Sequence, residues 1–229
     1  MAGVVDALGG EPRHAPVTVR APGAGEILVE VHASGICPTD LFGIDGGSGS
    51  RFPAIFGHEG AGVVAAVGPD VTTLTVGDHV VLSFDACRAC RACLGGHPST
   101  CERFAALNYR GTASDVTLSD GTPVRAGWMA QSAWSTRVIA RETNAVRIGA
   151  DVPFEVAATL GCGVLTGAGT VLSVLQPGPG DELLVLGGGT TGLSAVMVAR
   201  LRGLGRIVVS ERSPERRALA LELGATEAY

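Results

Sequence analysis

The fifteen residues Cys87–Cys101 read CRACRACLGGHPSTC, and no other stretch restricts the folding of the chain so tightly. The spacing Cys87-x2-Cys90-x2-Cys93-x7-Cys101 brings four thiols within reach of one tetrahedral centre. Zinc accepts four thiolates, and an all-cysteine shell leaves no position open for substrate, so the stretch reads as a structural zinc lobe. Two disulfides, or an iron–sulfur cluster on the same four ligands, are the alternatives. Four thiolates around a dication leave about two negative charges, and Arg88, Arg91 and Arg103 lie near enough in sequence to offset them. His97 could compete as a ligand, but the cysteines already fill the shell.

A second set of metal-ligand types flanks a Gly-rich loop. In Gly35–Gly62, GICPTDLFGIDGGSGSRFPAIFGHEGAG, Cys37 is followed by Thr39 and Asp40, and His58 by Glu59. A thiolate and an imidazole can share zinc while neighbouring carboxylates orient them. Two ligands do not make a site, and Cys162, in LGCGVLTGAG, is the cysteine that remains. A buried thiol and a hydrogen-bonded core histidine are the bland alternative for Cys37 and His58.

Composition bounds the rest. The 229 residues are 46% hydrophobic and 17% charged, a globular balance, and the net charge of −5 argues against a nucleic-acid surface. All 17 basic residues are arginine. No apolar run is expected to reach the roughly 18 residues of a membrane span, and the first residues lack the regions of a secretion signal. The expected compartment is the cytoplasm, where clustered thiols stay reduced.

Along the chain, Ile27 to His32 alternates apolar and polar residues behind the turn Pro22-Gly23-Ala24-Gly25. Val63–Val67 and His79–Leu82 continue the pattern of short strands and glycine turns, which predicts a small barrel. His32 and His79 fall within strands and read as structural. Ala133–Ala140 is the clearest later strand, Asp115–Pro123 reads as an exposed loop, and Asp151 with Pro153 reads as a helix start. An apolar helical run follows from Val164 to Leu175.

After Pro177-Gly178-Pro179-Gly180 the rhythm becomes α/β. Leu183–Leu186 is an apolar strand, and Gly187-Gly188-Gly189-Thr190-Thr191-Gly192 fits G-x-G-x-x-G ahead of a helical run, Leu193–Leu204. Arg206–Ser210 is the next strand, and Glu211 stands 19 residues after Gly192. A strand before, a helix after and an acid at the next strand end make a dinucleotide fingerprint. Gly187 provides the tight turn, Gly189 close approach of the pyrophosphate, and Gly192 helix packing. Glu211 would accept from ribose hydroxyls and repel a 2′-phosphate, favouring NAD over NADP, with Arg212 adjacent. Ser213 and Pro214 open a helix that ends at Gly224.

Taken in order, GICPTD, FPAIFGHEGAGVV, the four-cysteine lobe, AATLGCGVLTGAG and VLGGGTTGL resemble the zinc-dependent medium-chain dehydrogenase/reductase (alcohol dehydrogenase) family over essentially the whole chain. SFDACRACRACLGGHPSTCERFAALNYRG and LGCGVLTGAG are most like its aryl-alcohol (benzyl-alcohol) dehydrogenases. The resemblance implies α/β plus β architecture: a GroES-like catalytic domain over residues 1–160, with the lobe at 87–101, then the first part of a Rossmann domain over 161–229, with the active site between them. It implies catalytic zinc on Cys37, His58 and Cys162, a relay hydroxyl at Thr39, and supporting carboxylates at Asp40 and Glu59. It implies Zn²⁺ twice per chain, NAD, a small alcohol or aldehyde as substrate, no nucleic-acid or membrane partner, and a homo-oligomer for full-length members. Hydride would pass from the carbinol carbon to nicotinamide while Thr39 relays the proton.

The chain departs from that pattern in places. Pro38 stands where many members carry a basic residue facing the pyrophosphate, and Phe42 where a relay histidine often sits. The chain stops at LGATEAY after two βα units, so a truncated Rossmann half is expected. A non-catalytic zinc-binding fragment and a thiol-dependent formaldehyde dehydrogenase are the alternatives. Phe42, Phe52 and Phe104 are candidate pocket residues, with core packing the competing reading.

Overall fold

The computed structural model describes the whole chain except Ser48, Arg110, Gly111 and the side chains of residues 112–114. Ser48 belongs to the Gly-rich loop singled out above and so lies outside the described residues. In chain order the strands and helices begin with β1 (Ala2–Val5), β2 (Arg13–Ala15), β3 (Val17–Val19), β4 (Glu26–Ser34), α1 (Pro38–Ile44), β5 (Ala54–Ile55), β6 (Gly60–Val67) and β7 (His79–Leu82). They continue with α2 (Arg91–Leu94), α3 (Phe104–Asn108), β8 (Thr112–Leu118), β9 (Pro123–Ala126), β10 (Arg137–Arg141) and β11 (Ala145–Arg147). Helix α4 (Phe154–Leu175) is followed by β12 (Glu182–Leu186), α5 (Thr190–Leu201), β13 (Arg206–Ser210), α6 (Pro214–Leu223) and β14 (Glu227–Ala228). The chain divides into two compact units, Met1–Gly161 and Cys162–Tyr229.

Among the described residues the first unit holds a six-stranded sheet, β2-β1-β5-β9-β8-β3, and a five-stranded sheet, β10-β4-β6-β7-β11. The alternation in β4 aims Ile27 and Val29 inward, where they join Val64, Val80, Leu82 and Val138 in one buried cluster. Val4, Ile55, Val116 and Val124 form the core of the other sheet. Two sheets, each burying one face, give the barrel-like unit that short alternating strands predict.

Strand pairing here depends on glycine. Gly62 pairs with Val31 in the β4–β6 ladder, and a Cβ placed on it would stand 1.9 Å from the Glu30 carbonyl oxygen. Neither strand can yield without breaking the ladder. Gly62→Ala is therefore expected to cost about 1–3 kcal/mol, read as a lower urea midpoint, and an unchanged midpoint would contradict the close approach.

Three local expectations need correction. Asp115–Pro123 is not a loop: β8 runs through Leu118 and pairs with both β3 and β9, because Val116 is a core residue and only Ser119–Thr122 forms the turn. The strand expected over Ala133–Ala140 begins only at Arg137, since 133–136 bond irregularly to Gly57, Phe56 and Met1. Helix α4 starts at Phe154 with Pro153, not Asp151, at its N-cap. The Phe154 ring lies between the imidazoles of His32 and His79, at centroid distances of 4.7 and 4.8 Å. Ala157 and Ala158 bury against Ala61 of β6.

The apolar length of α4 also exceeds expectation. Its 22 residues have a mean hydropathy of 1.6 over an 18-residue window, long and apolar enough to cross a membrane by length and composition alone. Interspersed Gly, Thr and Ser hide this in the sequence, and the same values suit a core helix. Its turns at Leu160–Val164 and Thr170–Leu175 are widened to π geometry.

The second unit contains a parallel sheet, β12-β13-β14, with Val185, Val196, Ala199, Ile207, Val209 and Ala220 buried together. Ser213 Oγ accepts from Arg216 N at 3.2 Å, Pro214 opens α6, and Gly224, at φ 120°, closes it. Arg206 spans the three strands, donating to Glu182 at 2.9 Å and Glu227 at 2.8 Å.

Candidate metal centres

Cys37 stands at the N-cap of α1, so Thr39 and Asp40 follow on its first turn. His58 and Glu59 lie on the segment that enters β6. Cys162 opens the second unit, one peptide bond beyond Gly161, which is fixed to β7: Ser83 Oγ donates to the Gly161 carbonyl at 3.2 Å. Within the first unit, one ligand atom from each of Cys37, His58 and Glu59 lies within 4.8 Å of the others. The Glu59 carboxylate thus stands among the candidate ligands, closer than the supporting place expected of it. It fits there because Gly35 has no side chain; a Cβ on Gly35 would be 1.9 Å from Glu59 Oε2.

Asp40 organises this centre from beneath. It is fully buried, and Oδ1 accepts from His58 Nδ1 at 2.7 Å, Trp128 Nε1 at 2.9 Å and Gly57 N at 3.1 Å. Its Oδ2 accepts from Cys37 N at 3.1 Å. One carboxylate therefore holds both a candidate thiol ligand, through its backbone, and a candidate imidazole ligand. Donation from Nδ1 leaves the His58 Nε2 lone pair for a metal.

The four-cysteine lobe is gathered as well, with its ligand atoms within 4.8 Å of one another. Sγ–Sγ separations are 3.9 Å for Cys87–Cys93 and 4.0 Å for Cys90–Cys101. A tetrahedron with Zn–S bonds of about 2.3 Å has edges of about 3.8 Å. Backbone donors at Cys93 and Glu102 bring the Cys90 thiol down to about 6, while desolvation and the neighbouring thiols push Cys93 up to about 12. The group is one that a cation would complete. Asn108 clamps the base of the lobe: its amide donates to Asp85 O and its Oδ1 accepts from Asp85 N, both at 2.9 Å.

In the second unit the glycine loop is built at close range. Gly187 has φ 100°, Gly189 is the N-cap of α5, and a Cβ on Gly192 would meet Gly187 O at 2.0 Å. Glu211 accepts from Gly188 N at 2.6 Å and Ser213 N at 2.8 Å, and these donors hold its carboxyl below the usual range. Thr190, Thr191 and Arg212 are exposed around the loop.

Residues 23–150 match the alcohol dehydrogenase GroES-like domain. That is more than half of the sequence. The chain belongs to the alcohol dehydrogenase family. A geraniol dehydrogenase from Castellaniella defragrans is 44% identical over 231 residues, covering 99% of this chain and 62% of that protein. The crystal structure of an alcohol dehydrogenase zinc-binding domain protein from Burkholderia ambifaria superposes with a TM-score of 0.96 at 44% identity, covering 100% of this chain and 63% of that one. Benzyl alcohol dehydrogenase from Acinetobacter calcoaceticus superposes with a TM-score of 0.91 at 38% identity, covering 99% and 62%. The chain thus spans less than two thirds of the length of these alcohol dehydrogenase relatives.

Against this family background, the parts that sequence reasoning missed are the supports. Trp128, Gln131 and Asn108 are buried side chains with polar ends, far in sequence from the groups they hold. No spacing marks them. Phe52 packs on Phe56 at 6.2 Å and Phe104 on Phe84 at 5.5 Å, so both sit in aromatic clusters, whereas Phe42 is exposed.

Proposed function

We propose that the chain carries the metal site and the adenine side of the coenzyme site of a zinc-dependent alcohol dehydrogenase that oxidises a primary, aromatic alcohol to its aldehyde with NAD. The observation that carries this reading is the convergence of Cys37, His58 and Glu59 within 4.8 Å, beside a buried carboxylate that orients the imidazole, with the thiol of Cys162 as the further ligand that the family resemblance implies. Two thiolates and an imidazole are one of the donor sets zinc takes at a site with an open position, so the residues fit the ion. Cys87, Cys90, Cys93 and Cys101 would hold a second, structural zinc.

A bound zinc supplies Lewis acidity, which makes the proton of a ligated alcohol labile near neutral pH. Thr39, in the first turn of α1, would take that proton through its hydroxyl. Asp40 keeps His58 in the tautomer that can ligate. Glu59, a carboxylate among the candidate ligand atoms, could itself help to hold the metal. On the nucleotide side, Glu211 accepts from the ribose diol, and the N-terminus of α5 donates to the pyrophosphate. The preference for an aromatic alcohol is supported by the benzyl alcohol dehydrogenase likeness, and the cytoplasm, which keeps six thiols reduced, is the fitting compartment.

Metal analysis is expected to find two zinc ions per chain, and addition of NAD and benzyl alcohol to yield NADH. Two zinc ions without NADH, where a chain of the relatives' full length is active, would establish the metal-binding fragment instead. Turnover of a formaldehyde–thiol adduct in preference to benzyl alcohol would establish the thiol-dependent alternative.

A further inference from the structure

We infer that Trp128 and Gln131 position His58 as a metal ligand, Trp128 through the Asp40 carboxylate and Gln131 through the backbone on either side of Glu59. The inference rests on the zinc reading of Cys37, His58 and Cys162.

Both side chains are buried, and their polar atoms bond toward His58. Trp128 Nε1 donates to Asp40 Oδ1 at 2.9 Å, the same oxygen that accepts from His58 Nδ1. Gln131 is 1% exposed; its Nε2 donates to His58 O at 2.8 Å and its Oε1 accepts from Gly60 N at 3.0 Å. One amide thereby brackets the peptide unit that carries Glu59. A buried amide is tolerated only when both ends are satisfied. Here both partners belong to the ligand segment.

The turn that presents these side chains is shaped for the purpose. Met129, Ala130 and Ser132 have φ of 49°, 60° and 55°, conformations that residues with a Cβ seldom adopt. Ser132 Oγ accepts from Gly127 N at 2.8 Å and Trp128 N at 2.9 Å while donating to Ile55 O at 2.6 Å. Ala133 N and Trp134 N donate to Gly57 O and Phe56 O at 2.8 and 3.0 Å. The turn therefore lies bonded along Ile55–Gly60. Non-glycine residues held left-handed by their surroundings cluster at functional sites. An apolar side chain would serve packing alone.

The four-cysteine lobe provides an internal control within the same chain. Trp128→Phe and Gln131→Met would be titrated with Zn(II) against a chromophoric chelator and with Co(II) by absorption, beside a His58→Ala chain that defines the lobe signal. Each variant is expected to lose about tenfold or more in affinity at the Cys37–His58–Cys162 centre, with shifted Co(II) d–d bands, while the lobe binds as in the parent chain. Unchanged affinity and spectrum at that centre would overturn the inference, and so would equal losses at both sites, which mean general destabilisation. If Trp128→Phe does not fold, Gln131→Met decides alone, since Met preserves the volume. A parent chain with only the lobe signal would remove the zinc reading itself, an outcome distinct from the other two.

Discussion

Asp40→Ala is expected to destabilise the first unit by about 3–5 kcal/mol and to weaken zinc at the Cys37–His58–Cys162 centre by about 10–100-fold. The size follows from the donors left behind. Cys37 N, Gly57 N, His58 Nδ1 and Trp128 Nε1 all donate to this one fully buried carboxylate. Each unsatisfied buried donor costs roughly 1–3 kcal/mol, and water entering the cavity recovers part of the sum. Asp40→Asn separates charge from shape. It retains one carbonyl oxygen but turns an NH₂ toward one set of donors, so its loss should fall between those of the parent and alanine. Urea unfolding followed by tryptophan fluorescence, with metal analysis of the same samples, measures both effects. An alanine variant with parental midpoint and zinc content would show that the carboxylate organises nothing.

Removing metal from the four-cysteine lobe is expected to unfold that lobe and little else. The lobe has almost no apolar support of its own: α2 buries no residue, and of the four cysteines only Cys101 is buried. On the zinc reading its order comes from the ion. Outside it, the Asn108–Asp85 pair fastens both ends by hydrogen bonds that need no metal. Arg88, Arg91 and Arg103 are exposed and offer trypsin three sites once the local backbone opens. Cys90→Ser, or chelation of the parent chain, should accelerate cleavage there by at least about tenfold, the change a local opening made easier by 1.4 kcal/mol would bring. Fragments mapped by mass spectrometry should end at those arginines. Cleavage spread evenly over β4, β6 and β7 would mean instead that the metal supports the whole unit.

The sequence made some of this legible and hid the rest, for physical reasons. Cysteine and histidine are scarce here and few environments suit them, so Cys37, His58, Cys162 and the lobe stand out by type and spacing. Ser213-Pro214 and Gly224 mark both ends of α6 because each answers a local backbone need. Short alternation revealed β4, β6, β7 and β10 of the five-stranded sheet, but β8 of the six-stranded sheet was masked by Asp115, Ser119 and Asp120, polar residues beside a core Val116. Asp151 has the side chain of an N-cap, yet Pro153 holds that place. Trp128 and Gln131 were invisible because only the folded chain brings them beside residues some 70 to 90 positions earlier.

The left-handed run at Met129, Ala130 and Ser132 bears on any effort to make the protein hardier. Met129 and Ala130 each forfeit roughly 1–2 kcal/mol that glycine would not, so glycine there is the obvious choice for an engineer seeking heat resistance, whereas Ser132 must keep the hydroxyl that three backbone groups share. The exchange would hand back thermal margin and, with it, freedom of motion to the indole and amide that flank the imidazole. Robustness and fidelity of metal capture are set against each other within four residues.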